Sequence, residues 1–208
     1  MNNLVTLSST EALHITEGDT VLCGGSQEWF AERWQRQAGC GPTNCAGLLW
    51  HLAQTNPQCA ALCVHSPSSK ANFVSLMQEV WEYVKPGSMG VNTTNIFANG
   101  AVAYGRQKGV ALQPQTLDIP PLHAGERTYP PVQAFIEKAL QSGLPVAFLN
   151  LSNGTLKNLE SWHWVTLVAL RGGEALMYDQ AQPHWIDLER WLATSVMGGG
   201  FVTVAHGQ

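Results

Sequence analysis

The sequence predicts one α+β domain, helical in its first half and an antiparallel sheet in its second. Three observations carry this. Between about residues 26 and 109, apolar side chains recur at i, i+3, i+4 spacing, the signature of helices with one buried face. From about residue 110 to 208, continuous or alternating apolar runs are set apart by Asn153-Gly154 and Gly172-Gly173, the residue pairs that tight hairpin turns require. There is no internal repeat or low-complexity tract, and 208 residues suffice for one sizeable core, so residues 1–208 read as a single domain. Helices followed by strands, rather than alternating with them, give the α+β class.

In chain order, Leu4–Leu7 and Thr20–Leu22 are short β-like runs broken by Gly18, Gly24 and Gly25, a lead-in expected to pack beside the central helix. Residues Ser26–Trp34 suit a short helix. A longer helix follows Cys40, with Pro42 in its first turn and Ala46, Leu49, Trp50 and Ala53 on its buried side; Asn56-Pro57 stops it. Ala71–Val84 is amphipathic through Phe73, Leu76, Met77, Val80, Trp81 and Val84. Thr93 or Thr94 can cap a helix through Tyr104. Val110–Ile119 reads as a strand, Ala124–Pro131 as a loop and Val132–Ser142 as a helix ended by Gly143. Strands are then expected at Pro145–Leu151, His163–Leu170, Glu174–Asp179 and Phe201–Ala205, interrupted by a short helix at Leu188–Ala193.

Composition narrows the function. Charged residues are only 12% and hydrophobic ones 45%, which suits a folded globular chain. The net charge is −4 and the 11 Lys and Arg are scattered, so nucleic acid is not an expected partner. No apolar stretch reaches the ~18 residues of a membrane span, and the N-terminus lacks the basic and apolar regions of a signal peptide. A cytoplasmic protein without a membrane partner is the expectation. The five cysteines (Cys23, Cys40, Cys45, Cys59 and Cys63) are an odd number, against a disulfide framework. Cys59-x3-Cys63 with His65 has no second ligand pair, too few for zinc; no metal or cofactor is expected.

One cysteine stands apart. Cys40 lies in Gln-Ala-Gly-Cys-Gly-Pro-Thr-Asn-Cys, just ahead of a helix N-terminus. Unpaired N–H groups and the positive end of the helix dipole favour a thiolate there, the nucleophilic form of cysteine. A buried small side chain is the ordinary fate of a free cysteine, and Cys45, one helical turn further in, is the competing thiol. A nucleophile needs a base. His51 on the same helix is about 16 Å away along its axis, too far. His163 begins a strong strand, Ser-Trp-His-Trp-Val-Thr-Leu-Val. A hairpin turning at Gly172-Gly173 pairs residues whose numbers sum to about 345, which places Asp179 opposite about Thr166 and near His163. A carboxylate there can hold an imidazole in the required tautomer. Trp162 and Trp164, flanking His163, are expected as one core residue and one groove wall.

These motifs resemble the papain-like cysteine peptidase superfamily, and most closely its double-glycine (bacteriocin-leader) peptidase-like branch with its uncharacterised bacterial relatives. The resemblance rests on Gln-Ala-Gly-Cys-Gly-Pro-Thr-Asn-Cys-Ala around Cys40, Gly143-Leu-Pro-Val-Ala-Phe, His163-Trp-Val-Thr-Leu-Val and Tyr178-Asp179-Gln-Ala-Gln-Pro, spanning roughly Gln35 to the C-terminus. It implies Cys40 as nucleophile, His163 as general base and Asp179 as third member, on a fold with the nucleophile at a helix N-terminus and a C-terminal antiparallel sheet. Two departures stand out. The family's oxyanion-hole Gln falls six residues before the nucleophile, where this chain has Trp34; Gln35, favoured by spacing, or Gln37 is the expected substitute. Gln180 follows Asp179 where relatives often carry Pro. The expected activity is a cysteine hydrolase, a peptidase cleaving a peptide or amide substrate through a thioester. The alternatives are a thiol acyltransferase or an idle papain-like domain that binds a peptide or protein partner.

Overall fold

The computed structural model describes residues 4–64 and 68–207; His65 lies outside them. The chain opens with β1 (Leu4–Thr6), a 3-10 turn at Thr10–Leu13 and the hairpin β2 (His14–Glu17) and β3 (Thr20–Cys23). A 3-10 turn at Gln27–Trp29 and helix α1 (Arg33–Ala38) lead into α2 (Cys40–Thr55). After a further 3-10 segment, Pro57–Leu62, come α3 (Lys70–Trp81) and α4 (Thr94–Gln107). The second half runs β4 (Leu112–Ile119), α5 (Tyr129–Gln141), β5 (Val146–Asn150), β6 (His163–Arg171), β7 (Glu174–Asp179), β8 (Gln182–Asp187), α6 (Leu188–Thr194) and β9 (Gly199–His206).

Helix boundaries follow local chemistry. Ser69 caps α3 by accepting from the Asn72 N–H, and Thr93 caps α4 by accepting from Ile96. Thr94 is left free to donate its hydroxyl to Asp118 on β4. Helix α5 begins three residues earlier than the expected Val132. Pro130 and Pro131 occupy its first turn, where a missing N–H leaves no helical bond unmade.

The sheet is antiparallel throughout, in the order β4-β9-β5-β6-β7-β8, with β1 added to the far half of β6. Alternation along its strands sends side chains to two separate cores. Ala147, Leu149, Trp164, Val202 and Val204 pack with α2, α3 and α4. Val146, Phe148, Val165, Leu167 and Phe201 pack with α5 and α6 on the other face. Strand β8 has no counterpart in the sequence analysis: Gln-Pro-His-Trp-Ile-Asp buries only Ile186 and carries Pro183. An edge strand needs one apolar contact and tolerates a proline, so it lacks the apolar run that marks an interior strand.

The β6–β7 hairpin departs from simple pairing in one place. Arg171 pairs with Glu174, Leu170 with Ala175 and Ala169 with Leu176, the expected register. Leu167 then pairs with Met177 and Thr166 with Tyr178, one residue out of step. Val168 is the extra residue of a β-bulge, and it joins Leu167 in the same core. Asp179 therefore comes abreast of Val165 rather than Thr166. The lead-in segment holds the bulge: the Leu7 N–H donates to the Val168 carbonyl at 2.8 Å.

His51 is fully buried on α2, and neither ring nitrogen makes a well-formed hydrogen bond. Burial pushes its pKa down to about 4, with only partial compensation from the Ser9 backbone and the Glu11 charge. The unfolded chain takes up this proton near pH 6.5 and the folded chain near 4, so between the two only the unfolded state gains it. Stability is expected to fall as pH drops below about 6.5, by about 2 kcal/mol at pH 5 from this group. Urea unfolding at pH 7 and pH 5 checks it: His51→Met should lose that much of the wild-type pH dependence, and an unchanged dependence would refute the assignment.

Candidate active site

Cys40 is the first residue of α2, and glycines bracket it for reasons of space rather than backbone angle. A Cβ on Gly39 would stand 2.3 Å from the Gln35 carbonyl and 2.7 Å from the Phe30 ring; on Gly41 it would stand 2.7 Å from Val91. Only glycine lets α1 run straight into α2 and lets the turn that carries Cys40 press against Val91. Thr43 closes the first helical turn by donating to the Gly39 carbonyl at 2.9 Å. Cys40 borders two clefts.

The smaller cleft contains His163, Asp179, Asn44 and Gln27 beside Cys40. His163, only 4% exposed, opens β6, and its Nε2 lies 2.7 Å from Oδ1 of Asp179 at the end of β7. Cys40 is the other side chain hydrogen-bonded to the ring. Burial alone would disfavour the imidazolium. The hydrogen bonds from Asp179 and Cys40, with their charges, outweigh it and hold the His163 pKa well above its ordinary value. The structure thus brings Cys40, His163 and Asp179 into one hydrogen-bonded group.

Two further residues of this cleft were not anticipated from the sequence. Asn44, one turn after Cys40, donates through Nδ2 to the carbonyls of Cys40 (2.9 Å) and Trp164 (2.8 Å), and its Oδ1 accepts from Thr166 at 2.7 Å. It ties the start of α2 to β6 and so fixes Cys40 relative to His163. Gln27 reaches the cleft because its segment is pinned to the turn after Asp179. Cys23 donates to the Ala181 carbonyl at 3.0 Å, Ala181 donates to Gly25 at 3.2 Å, and the Ser26 hydroxyl donates to Gln180. That turn holds Gln180 and Ala181 at positive φ, 46° and 64°. Gln27 donates from Nε2 to the Arg36 carbonyl at 2.6 Å, while its buried Oε1 has no hydrogen-bond partner. The signal in the sequence was weak: Gln27 lies thirteen positions before Cys40, well outside the family spacing.

Gln35 and Gln37 part company. Gln35 forms a reciprocal amide pair with Gln78, 2.9 and 3.1 Å, and borders neither cleft. Gln37 and Trp34 line the larger cleft. Trp164 is core, its Nε1 donating to the Val91 carbonyl at 2.6 Å, whereas Trp162 is 40% exposed and lines the larger cleft. Trp162 precedes the strand at φ 58°, so alternation does not govern it. Cys45 is fully buried, and desolvation pushes its thiol far above the ordinary range. Among the described residues, no three His, Cys, Asp or Glu side chains cluster as a metal site, and no helix is long and apolar enough to cross a membrane.

No family model matches the chain, and no curated protein sequence does. Solved structures do. A crystal structure assigned as a C39-like peptidase from Bacillus anthracis superposes over 100% of both chains with a TM-score of 0.51 and 12% sequence identity. The Pseudomonas avirulence protein AvrPphB covers 84% of this chain and 95% of its own, at a TM-score of 0.39 and 11% identity. Full coverage of the first at this level of identity is a likeness of fold, and the fold is the α+β, papain-like arrangement of a helical part and an antiparallel sheet.

Proposed function

We propose that the protein is a cysteine hydrolase, and specifically a peptidase. The observation that carries this reading is the buried Cys40–His163–Asp179 group at the N-terminus of α2. With its pKa raised, His163 carries a proton at neutral pH beside the Cys40 sulfur. The Cys40 sulfur attacks the carbonyl carbon of an amide, forming a C–S bond and a tetrahedral oxyanion. His163 gives its proton to the nitrogen as the C–N bond breaks, which leaves a thioester. Water, losing a proton to His163, adds to the thioester and releases the acid and the thiol. Asp179 acts throughout by holding the ring's tautomer through Nε2.

The oxyanion falls beside the Cys40 backbone N–H, and we assign Gln27 as the second donor. Its side chain lines the cleft that Cys40 borders, and its Oε1 is buried without a hydrogen-bond partner. A half-turn of the amide, giving up the Arg36 carbonyl, puts an N–H donor at that unpartnered position; the two ends have the same shape. Gln35 is occupied by Gln78, and Gln37 lines the other cleft.

At pH 6, iodoacetamide should alkylate Cys40 ~10–100-fold faster than an ordinary thiol of pKa ~8.5, with Cys45 unreactive, and His163→Ala should erase the advantage. Site-resolved mass spectrometry reads this. A Cys40 no faster than a free thiol ends the hydrolase reading and favours an idle binding domain. Acylation by p-nitrophenyl acetate tests the oxyanion donor: Gln27→Ala should slow it ~10²-fold, as loss of one such donor does, while Gln35→Ala stays within about threefold. The reverse ranking would return the role to Gln35.

A further inference from the structure

We propose that Ser26 and Gln180 are positioning residues: their hydrogen bond fixes, at one point, both the loop that brings Asp179 to His163 and the turn that brings Gln27 into the cleft bordered by Cys40. The consequence for a reaction rests on the hydrolase reading. The hold on Asp179 stands without it.

The loop after Asp179 has a conformation that its own residues do not favour. Asp179 pairs with Gln182, so Gln180 and Ala181 are the two-residue connection of the β7–β8 hairpin, and both stand at positive φ, 46° and 64°. Asn-Gly or Asp-Gly ordinarily fills such a connection, because only glycine and the short Asn and Asp side chains enter that region readily. Gln and Ala do so only where the surroundings impose it.

Here the strap of chain from Cys23 to Gln27 imposes it. The Cys23 N–H donates to the Ala181 carbonyl at 3.0 Å, the Ala181 N–H donates to the Gly25 carbonyl at 3.2 Å, and the Ser26 hydroxyl donates to Oε1 of Gln180. The strap is itself confined. A Cβ on Gly24 would stand 3.4 Å from that of Tyr178, and one on Gly25 would stand 2.3 Å from the Phe73 ring and 3.1 Å from the Thr43 methyl. The Gly24 N–H donates to the Leu13 carbonyl at 3.1 Å. Glycine alone lets the chain pass so close to β7 and α2.

Ser26 is where the two functions meet. It is 5% exposed, and its hydroxyl is used twice. The proton goes to Gln180, while the oxygen accepts from the Glu28 N–H at 3.2 Å and so caps the 3-10 turn Gln27–Trp29. Gln27 follows Ser26 directly, and Asp179 directly precedes Gln180. Removing the hydroxyl leaves the loop held by the two backbone bonds alone and takes the cap from Gln27's turn.

The direct readout is the titration of His163, followed through its ring resonance in protein labelled with 13C-histidine. It needs neither a substrate nor a reactive thiol. Ser26→Ala and Gln180→Ala should each lower the midpoint by at least about 1 pH unit as Asp179 withdraws. The double variant should go no further, because the two residues share one bond. Ser26→Thr, which keeps the hydroxyl, should restore the wild-type midpoint. Ala181→Gly, which takes up the loop's backbone unaided, should recover most of the change in the Ser26→Ala background. An unchanged midpoint in both single variants, whatever happens to thermal stability, would overturn the proposal; so would additive changes in the double variant, or no recovery with Ala181→Gly. Acylation by p-nitrophenyl acetate reads the consequence for the reaction: Ser26→Ala should slow it ~10-fold or more, as small misplacements of a reacting group do. A wild-type Cys40 that does not acylate ends the hydrolase reading, while the His163 titration still decides the pair.

Discussion

Everything at the candidate site depends on where a one-residue bulge falls in the β6–β7 hairpin. Side chains alternate across a strand, so a slip of one residue exchanges the two faces of the sheet. Without the extra residue at Val168, Asp179 would stand opposite Thr166, one residue further along β6 from His163. With it, Asp179 comes abreast of Val165, two residues from His163, and the 2.7 Å contact forms. The carbonyl freed at the bulge is not wasted, because Leu7 donates to it from the N-terminal segment. A stretch of chain far from Cys40 in sequence thereby stabilises the pairing that brings Asp179 to His163.

Cys40 depends on packing of a different kind. Nearly every residue of α2 from Cys40 to Leu52 is buried, so the helix cannot shift without disturbing both the neighbouring helices and the sheet. Gly39 and Gly41 allow backbone and ring atoms to approach where a methyl group would collide. Asn44 then converts proximity into registration, since one amide satisfies carbonyls on α2 and β6 and a hydroxyl on β6. An unmade bond in so enclosed a place would cost about 1–3 kcal/mol, which keeps the two elements together.

Burial and charge work against each other at His163. Desolvation alone would leave a neutral ring, as it does at His51, a buried imidazole with no strong partner. The difference is Asp179 and Cys40. Two histidines of one chain, both deeply buried, are driven in opposite directions by whether an anionic partner lies within hydrogen-bonding distance.

The sequence by itself determined the α+β class and most of the helices and interior strands, and it singled out Cys40, His163 and Asp179, which the fold brings into one hydrogen-bonded group. Each of these rests on local information: apolar period, turn residues, a helix start and approximate hairpin counting. Other features were decided only by tertiary contacts. Strand β8 exists because β7 offers an edge, not because its own residues demand one. The bulge that makes Asp179 useful, the docking of Gly25–Gln27 on the turn after Asp179, and the sequestration of Gln35 by Gln78 all join segments distant in the chain. Spacing from Cys40 pointed to Gln35 and Gln37, whereas the fold brings Gln27 into one cleft with Cys40 across thirteen residues. Sequence distance measures chain length, and hydrogen-bonding distance is set by how the chain returns on itself.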